Sequence, residues 1–232
     1  MGRRIIFLDL DETILDFKKA EDHSLRKTLT DLDVPVSDEI VALYSEINDS
    51  CWKKLERGEM TREQILSGRF GILYERLGVA RDPDLTWSIY ENNISNCGFL
   101  LDGAIELLKE LSEDYELYGA SNGTATIQDK RIVASGIAPY FKDIFISQRI
   151  GFNKPDKRFF DVCFEKVGVT DSKECVMIGD SLTSDIKGGK NAGITTLWYN
   201  PLGKEPTADI VPDYQASSLD MIPLVLEMIY NI

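Results

Sequence analysis

Residues 4–13 read RIIFLDLDET, so four consecutive apolar residues are followed by acids at positions 9, 11 and 12. Further short apolar runs occur at residues 115–120, 143–147, 174–179 and 194–198. Nearly continuous apolar runs of this length are typical of parallel strands that are covered on both faces. The sequence therefore predicts a buried sheet of five strands.

Helical patterns separate these runs from residue 100 onward. Apolar residues recur with the 3.6-residue helical period at residues 104–111 and 159–167, and residues 186–192 and 219–229 are further candidates. Strands that alternate with helices predict a doubly wound, Rossmann-like α/β fold with a mostly parallel sheet and right-handed crossovers.

Residues 16–97 interrupt this alternation, because they show helical periodicity and no convincing strand. Thr61 and Gln64 form a capping-box pattern at the start of one helix, and Ser37 is placed to cap an earlier one. We expect an all-helical domain at residues 16–97, inserted in the first crossover of an α/β core that consists of residues 1–15 and 98–232.

The charge of the chain limits its partners. The 232 residues include 26 Lys and Arg against 39 Asp and Glu, and the formal net charge is −13. Binding to polyanions depends on clustered Lys and Arg, so we expect neither a nucleic-acid polymer nor a membrane as a partner. No stretch is apolar enough to span a membrane or to act as a secretory signal, which predicts a cytoplasmic protein. The sequence indicates no oligomeric state.

Composition also restricts the chemistry. His23 is the one histidine, and the four cysteines include no closely spaced pair. A zinc site built on several histidines is therefore excluded, and a catalytic triad would have to recruit His23. We expect reduced, mostly buried cysteines, and chemistry that depends on carboxylates, hydroxyls, lysine and a hard metal ion.

Polar clusters follow four of the predicted strands. In open α/β sheets, ligands bind beyond the carboxyl ends of the strands. One cluster alone is typical of a turn or a helix cap, but four clusters at successive strand ends indicate a single site. The clusters contain Asp9 and Asp11 after the first run, Ser121 and Asn122 after the second, Lys154 after the third, and Asp180 and Asp185 after the fourth.

These clusters resemble, in order, the four motifs of the haloacid dehalogenase-like hydrolase superfamily. The matching segments are residues 9–13 (DLDET), 121–122 (SN), 154–155 (KP) and 179–185 (GDSLTSD). The helical insertion resembles the small cap domain of that superfamily. Residues 179–186, 191–194 and 198–201 resemble the pyrimidine 5′-nucleotidase branch, with which Arg69 and Phe70 are consistent.

The resemblance implies a phosphatase that hydrolyses a small phosphorylated metabolite, most closely a pyrimidine nucleoside monophosphate. Asp9 would attack phosphorus and form an aspartyl-phosphate. Asp11 would protonate the leaving oxygen and then activate the water that hydrolyses the intermediate. These roles require an ionised Asp9 and an Asp11 that can hold a proton.

The resemblance also implies a magnesium site, which suits the oxygen ligands available. Asp9 and Asp180 would bind Mg²⁺ through their side chains and Asp11 through its backbone carbonyl, while Asp185 would orient a metal-bound water or Lys154. Ser121, the Asn122 backbone and Lys154 would bind the oxygens of the transferring phosphoryl group.

Several alternatives stay open. A haloacid dehalogenase needs no acid two residues after its nucleophile, so Asp11 favours a phosphoester. A sugar-phosphate phosphatase or a phosphomutase shares the core, and a phosphonate hydrolase would need a cap lysine such as Lys53 or Lys54. A non-catalytic protein that binds a phosphorylated ligand would be expected to lack Asp9 or Asp11.

Substrate choice is expected to lie in the helical insertion, where large side chains could stack on a base or bind a phosphate. Most of them are expected to form the core of the helices instead. Arg69 is less easily absorbed into a core, because its guanidinium stays charged. We therefore predict that Arg69 contacts the substrate. The other candidates are Trp52, Phe70, Tyr74 and Trp87.

Overall fold

The computed structural model describes residues 3–230. The chain divides into two compact units: a core unit of Met1–Asp16 with Phe99–Ile232, and a helical unit, Phe17–Gly98. Both boundaries lie one residue beyond the predicted division. The role of the helical unit as a cap domain stays a prediction.

The helical unit contains four helices and, in residues 17–98, no strand. Ser37 Oγ accepts a hydrogen bond from Ile40 N at the start of the second helix, and Thr61 and Gln64 form the predicted capping box of the third. Both caps are confirmed. The helices are α1 (Phe17–Asp31), α2 (Asp38–Glu56), α3 (Arg62–Leu77) and α4 (Pro83–Ser95).

The core unit is built on one sheet, which has six parallel strands within residues 3–230. The strands are β1 (Ile5–Leu8), β2 (Glu116–Ser121), β3 (Asp143–Ile146), β4 (Cys175–Gly179), β5 (Thr195–Tyr199) and β6 (Tyr214–Ala216). Their spatial order is β3-β2-β1-β4-β5-β6. The doubly wound α/β fold is confirmed. β6 was not among the predicted strands.

Burial on both faces explains the apolar runs. Ile6 and Leu8 of β1 belong to one hydrophobic cluster, whereas Ile5 and Phe7 belong to another, and all four are fully buried. Successive side chains of a strand point to opposite faces, so the two clusters lie on opposite faces of the sheet. A strand covered on both sides has no polar face, which is why the runs lack alternation.

Six helices connect and cover the strands in the described part of the core unit. They are α5 (Ala104–Asp114), α6 (Ala125–Ser135), α7 (Ser147–Ile150), α8 (Lys157–Val167), α9 (Lys187–Ala192) and α10 (Met221–Tyr230). A π-helical turn, Leu182–Ile186, precedes α9. The four cysteines are buried free thiols, as predicted. Across residues 3–230, none of the helices has the length and hydropathy needed to cross a bilayer.

The strand order places a switch point at the centre of the sheet. From β1 the chain adds β2 and β3 on one side, and then β4, β5 and β6 on the other. In sheets of this order the crevice beyond the carboxyl ends of the central strands is where ligands bind. The residues that follow β1, β2 and β4 are therefore the ones that line this crevice.

Candidate active site

Three of the predicted site residues lie at neighbouring strand ends. Asp9 directly follows β1 and continues its ladder, because its backbone N–H donates to Ile178 O of β4 at 2.9 Å. Ser121 is the last residue of β2, and Asp180 directly follows β4. Since β1 lies between β2 and β4, the sheet brings these residues to one edge of the core unit.

Lys154, from the loop between α7 and α8, joins this group as a buried cation. Its ammonium donates to Asp9 Oδ1 at 2.7 Å, to Asp185 Oδ1 at 2.6 Å, and to the backbone carbonyl of Ala120. These contacts use all three hydrogens of the ammonium group. The lysine is completely buried, so its charge acts at short range on the two carboxylates.

Asn122 fixes the backbone of this lysine. Lys154 N donates to Asn122 Oδ1 at 2.9 Å, and Asn122 Nδ2 donates back to Lys154 O at 2.8 Å. Asn122 Nδ2 also donates to Ser184 Oγ at 3.1 Å. The side chain of Asn122 thus joins the second and third motifs, and the binding of phosphate by its backbone stays a prediction.

Burial and mutual repulsion raise the pKa of two acids of this site. Burial, with the carboxylate of Asp185 as the next cause, raises the pKa of Asp9 to about 8. The same two causes raise the pKa of Asp180 well above its usual range. Burial opposes the charge of Lys154, but Asp185 and Asp9 outweigh it and hold the pKa of the ammonium above its usual value. One lysine therefore does not balance the carboxylates gathered here.

These carboxylates fit a divalent cation. One oxygen each of Asp9, Asp180 and Asp185 lies within 4.8 Å of the other two. Carboxylate oxygens are the ligands that Mg²⁺ prefers, and a cation among them would relieve the repulsion that raises the pKa of Asp9 and Asp180. Asp185, predicted to lie outside the ligand set, belongs to the same cluster and also holds Lys154.

A glycine and a π-helical turn allow Asp185 to come this close. A Cβ atom at Gly179 would lie 2.3 Å from Asp185 Oδ2, nearer than any real contact. The π-helical turn Leu182–Ile186 then carries Asp185 back toward the strand end, where Ser181 N donates to Asp185 Oδ2 at 3.0 Å. Single π-helical turns occur often at functional sites.

Ser121 is arranged as a hydrogen-bond donor. Its Oγ accepts from Gly123 N at 2.9 Å and from Gln128 Nε2 at 2.8 Å. A hydroxyl has two acceptor positions and one hydrogen, so both acceptor positions are filled and the hydrogen is left to donate. This is the orientation that a phosphate oxygen requires.

Asp11 is held by two residues of α6. Gln128 Nε2 donates to Asp11 Oδ2 at 2.9 Å, and Arg131 Nη1 donates to Asp11 Oδ1. Sequence reasoning missed both residues, and it also missed Thr13, whose hydroxyl lies 3.4 Å from Asp9 Oδ2. One signal was present: a glutamine and an arginine three positions apart in a segment that also carries Ile127 and Ile132.

Arg69 lies in the helical unit and is 3% exposed. Its guanidinium carbon is 5.1–5.8 Å from the centres of four aromatic rings, and its Nη1 donates to Asn48 Oδ1. The rings belong to Tyr44, Phe70, Trp87 and Tyr90. Arg69 was expected to resist burial, but it is buried among the helices. Its contact with substrate stays a prediction.

Comparison with known proteins places the chain among hydrolases. A sequence model of the haloacid dehalogenase-like hydrolase family matches residues 4–193. YfnB of Bacillus subtilis, described as a HAD-hydrolase, is 37% identical over 225 residues, which cover 97% of this chain and 96% of YfnB. A crystal structure of YfnB bound to magnesium matches with a TM-score of 0.92 at 37% identity, covering 97% of this chain and 99% of that one.

Two further relatives carry a more specific description. The pyrimidine 5′-nucleotidase PynA of Streptococcus pneumoniae is 37% identical over 219 residues, which cover 94% of this chain and 92% of PynA. The pyrimidine 5′-nucleotidase YjjG of Escherichia coli is 32% identical over 221 residues, which cover 95% of this chain and 96% of YjjG. In both cases the match extends over the core and the helical insertion.

Proposed function

The chain belongs to the haloacid dehalogenase-like hydrolase family and hydrolyses phosphoric monoesters, and we propose that its substrates are pyrimidine nucleoside 5′-monophosphates. The observation that carries the proposed phosphoryl-transfer mechanism is the buried contact of Lys154 with Asp9 and Asp185, next to Asp180 and Ser121. This arrangement combines a carboxylate nucleophile, a fixed cation and a hydroxyl donor at one edge of the sheet. The pyrimidine preference rests on the two relatives named as pyrimidine 5′-nucleotidases.

The first half of the reaction transfers the phosphoryl group to the protein. A carboxylate oxygen of Asp9 attacks phosphorus, and the bond from phosphorus to the nucleoside oxygen breaks. Asp11 gives its proton to that oxygen, so the nucleoside leaves as a neutral alcohol. The Ser121 hydroxyl donates to a phosphoryl oxygen, and Lys154 offsets the negative charge through its position beside Asp9.

The second half returns the protein to its starting state. Asp11, now ionised, takes a proton from a water molecule as the water oxygen attacks phosphorus. The bond between phosphorus and Asp9 breaks, and inorganic phosphate is released. The carboxyl of Asp11 thus acts first as acid and then as base. Both steps occur at the phosphorus that Asp9 attacks, so Asp11 must lie beside Asp9.

A bound Mg²⁺ would be held by Asp9 and Asp180, with Asp185 in the same cluster, and would withdraw charge from the phosphoryl oxygens. The ion would also favour the ionised form of Asp9, which burial otherwise opposes. The contribution of the Asp11 backbone carbonyl as a further ligand stays part of this proposal.

A substrate panel tests the proposal. With Mg²⁺ present, phosphate release is measured from uridine, cytidine, thymidine, adenosine and guanosine 5′-monophosphates, from hexose phosphates and from p-nitrophenyl phosphate. We expect the largest kcat/KM with the pyrimidine nucleotides. A larger kcat/KM with a hexose phosphate would assign the protein to sugar phosphates, and an isomerised sugar phosphate without phosphate release would identify a phosphomutase.

A further inference from the structure

Both oxygens of the Asp11 carboxylate are engaged by one helix of the core unit. Arg131 Nη1 forms an ion pair with Asp11 Oδ1, and Gln128 Nε2 donates to Asp11 Oδ2 at 2.9 Å. The two α6 side chains are each 1% exposed, whereas the side chain of Asp11 is 29% exposed. The partners of Asp11 are thus fixed inside the protein, and the carboxyl they hold reaches solvent.

The amide of Gln128 has one orientation that its neighbours accept. Its Nε2 donates to both Asp11 Oδ2 and Ser121 Oγ, and its Oε1 accepts from Arg131 Nη1 at 3.1 Å. A reversed amide would place its oxygen against the Asp11 carboxylate and its NH₂ group against the guanidinium, and both contacts are repulsive. Gln128 therefore fixes Ser121 and Asp11 relative to one another.

The absence of a side chain at Gly123 leaves room for Gln128. A Cβ atom at Gly123 would lie 2.5 Å from Gln128 Cγ and 2.8 Å from its Cδ. The glycine after Asn122 thus permits Gln128 to lie against the second motif. Burying Arg131 carries a large desolvation cost, which its contacts with Asp11 and Gln128 offset.

We propose that Gln128 and Arg131 are positioning residues for Asp11, because they hold its carboxyl in a fixed place beside Ser121, where it takes the proton of the attacking water and gives a proton to the leaving group. This inference rests on the proposed function, in which Asp11 supplies that proton. Neither residue touches the reacting atoms in this scheme. Gln128 acts through Asp11 and Ser121, and Arg131 acts through Asp11 and Gln128.

Leaving groups of different basicity separate positioning from a merely structural role. The alkoxide of a nucleoside is a strong base and needs a proton as it leaves, whereas p-nitrophenolate leaves without one. The value of kcat/KM reports the step in which the leaving group departs. A displaced Asp11 therefore lowers kcat/KM for uridine 5′-monophosphate much more than for p-nitrophenyl phosphate, while general damage to the site lowers both equally.

The test compares Gln128→Met, Arg131→Lys and Arg131→Met on these two esters with Mg²⁺ present. We expect Gln128→Met and Arg131→Met to lose at least about tenfold more kcat/KM on the nucleotide than on the aryl ester, within the range that general acid catalysis supplies. Arg131→Lys keeps a positive charge and is expected to lose less. Circular dichroism and thermal unfolding establish whether each variant is folded. If an Arg131 variant does not fold, the comparison between Gln128→Met and wild type decides the test.

Two references make the result interpretable. Arg149→Met removes an exposed ion pair between Arg149 of α7 and Asp129 of α6, and it is expected to leave the ratio of the two kcat/KM values unchanged. Asp11→Asn sets the full effect of losing the acid. If Asp11→Asn lowers kcat/KM equally for both esters, Asp11 does not act as the acid, and the positioning role proposed here is wrong as well. If Asp11→Asn loses more kcat/KM on the nucleotide than on the aryl ester, but folded Gln128→Met loses the same on both, the positioning role alone is overturned.

Discussion

The ammonium of Lys154 lies between Asp9 and Asp185, and its burial makes that position costly without both partners. Asp180 completes a group of three carboxylates around one lysine. If all three were ionised, the group would carry two uncompensated negative charges. Burial, and after it the repulsion from Asp185, raises the pKa of Asp9 and of Asp180, and a divalent cation would offset that repulsion.

Asp9→Asn is expected to abolish turnover and leave the fold intact. The amide cannot form the acyl phosphate, so kcat is expected to fall by at least about 10³-fold, as when other enzymes lose their nucleophile. Lys154 keeps its contacts with Asp185 and with Ala120 O, so the thermal unfolding temperature is expected to change little. Phosphate release and thermal unfolding are measured together. Asp209→Asn, an exposed change of the same chemistry, is the control, and turnover near wild type in Asp9→Asn would rule out the mechanism.

Gly179→Ala is expected to displace Asp185 from Lys154. The added Cβ would lie 2.3 Å from Asp185 Oδ2 and 2.7 Å from its Cβ, so the clash extends beyond the flexible end of the side chain. We expect a loss of about 1–3 kcal/mol in the free energy of unfolding, the usual cost of overpacking, and a lower kcat. Urea unfolding and phosphate release measure the two effects.

The matched control for this change is Gly68→Ala in α3. A Cβ atom there meets nothing within 4 Å, and alanine favours a helix over glycine by about 0.5–1 kcal/mol. The control is therefore expected to be neutral or stabilising. Equal stability of Gly179→Ala and wild type would show that the close approach of Asp185 is not a constraint on the fold.

At the level of secondary structure, the sequence predicts elements whose burial pattern is regular. β1 and β4 are continuous apolar runs because both faces are covered, and Thr61 caps α3 through contacts local in sequence. β6 has three residues, of which Ala216 alone is buried, so it leaves no apolar run to detect. A helix is expected to begin shortly after Asn122, but buried polar side chains interrupt the apolar face of α6, so no apolar period marks its length.

Some residues of the candidate site could likewise be predicted from the sequence, and others could not. The strand ends that carry Asp9, Ser121 and Asp180 follow from the order of apolar runs, because parallel strands end at one edge of the sheet. The hold of Gln128 and Arg131 on Asp11 depends on how α6 packs, and that contact joins residues more than 100 positions apart. No local pattern specifies such a contact.

The short strand β6 is joined to β5 by Asp213, and this junction predicts a pH dependence of stability. Asp213 Oδ2 accepts from Thr196 N at 2.9 Å and from Thr196 Oγ1 at 2.8 Å, and its carboxylate pairs with Lys190 of α9. Burial would raise the pKa of Asp213, but the hydrogen bonds from Lys190 and Thr196 outweigh it and lower the pKa. The ionised carboxylate is thus favoured in the folded state.

The sign of the effect follows from this lowered pKa. The stabilisation is complete above the unfolded-state pKa of about 4 and is lost as the pH falls through the lower folded-state pKa. Asp213→Asn is expected to lose about 1 kcal/mol in the free energy of unfolding at pH 5–7, a modest value because the carboxylate is partly exposed. The difference from wild type is expected to shrink below about pH 4. Urea unfolding across this range measures it, and a difference that grows on acidification would contradict the assignment.

For the molecule as a whole, the net charge of −13 disfavours binding to polyanions but leaves the binding of a small phosphate possible. The acids that face the crevice add to the general excess of negative charge, and Lys154 and Arg131 are already paired with them. A phosphate dianion would therefore meet an unfavourable field in the protein alone. Metal binding and substrate binding are expected to be coupled, each strengthening the other.

Removal of Mg²⁺ is accordingly expected to weaken phosphate binding as well as turnover. Two unit charges 4 Å apart near a protein surface interact by about 4 kcal/mol, which exceeds the 1.4 kcal/mol that changes Kd tenfold. After treatment with EDTA and dialysis, we expect no phosphate release and at least about tenfold weaker binding of inorganic phosphate by calorimetry. Added Mg²⁺ is expected to restore both, which excludes irreversible unfolding as the cause. Binding of phosphate that is equal with and without Mg²⁺ would mean that metal binding and phosphate binding are not coupled.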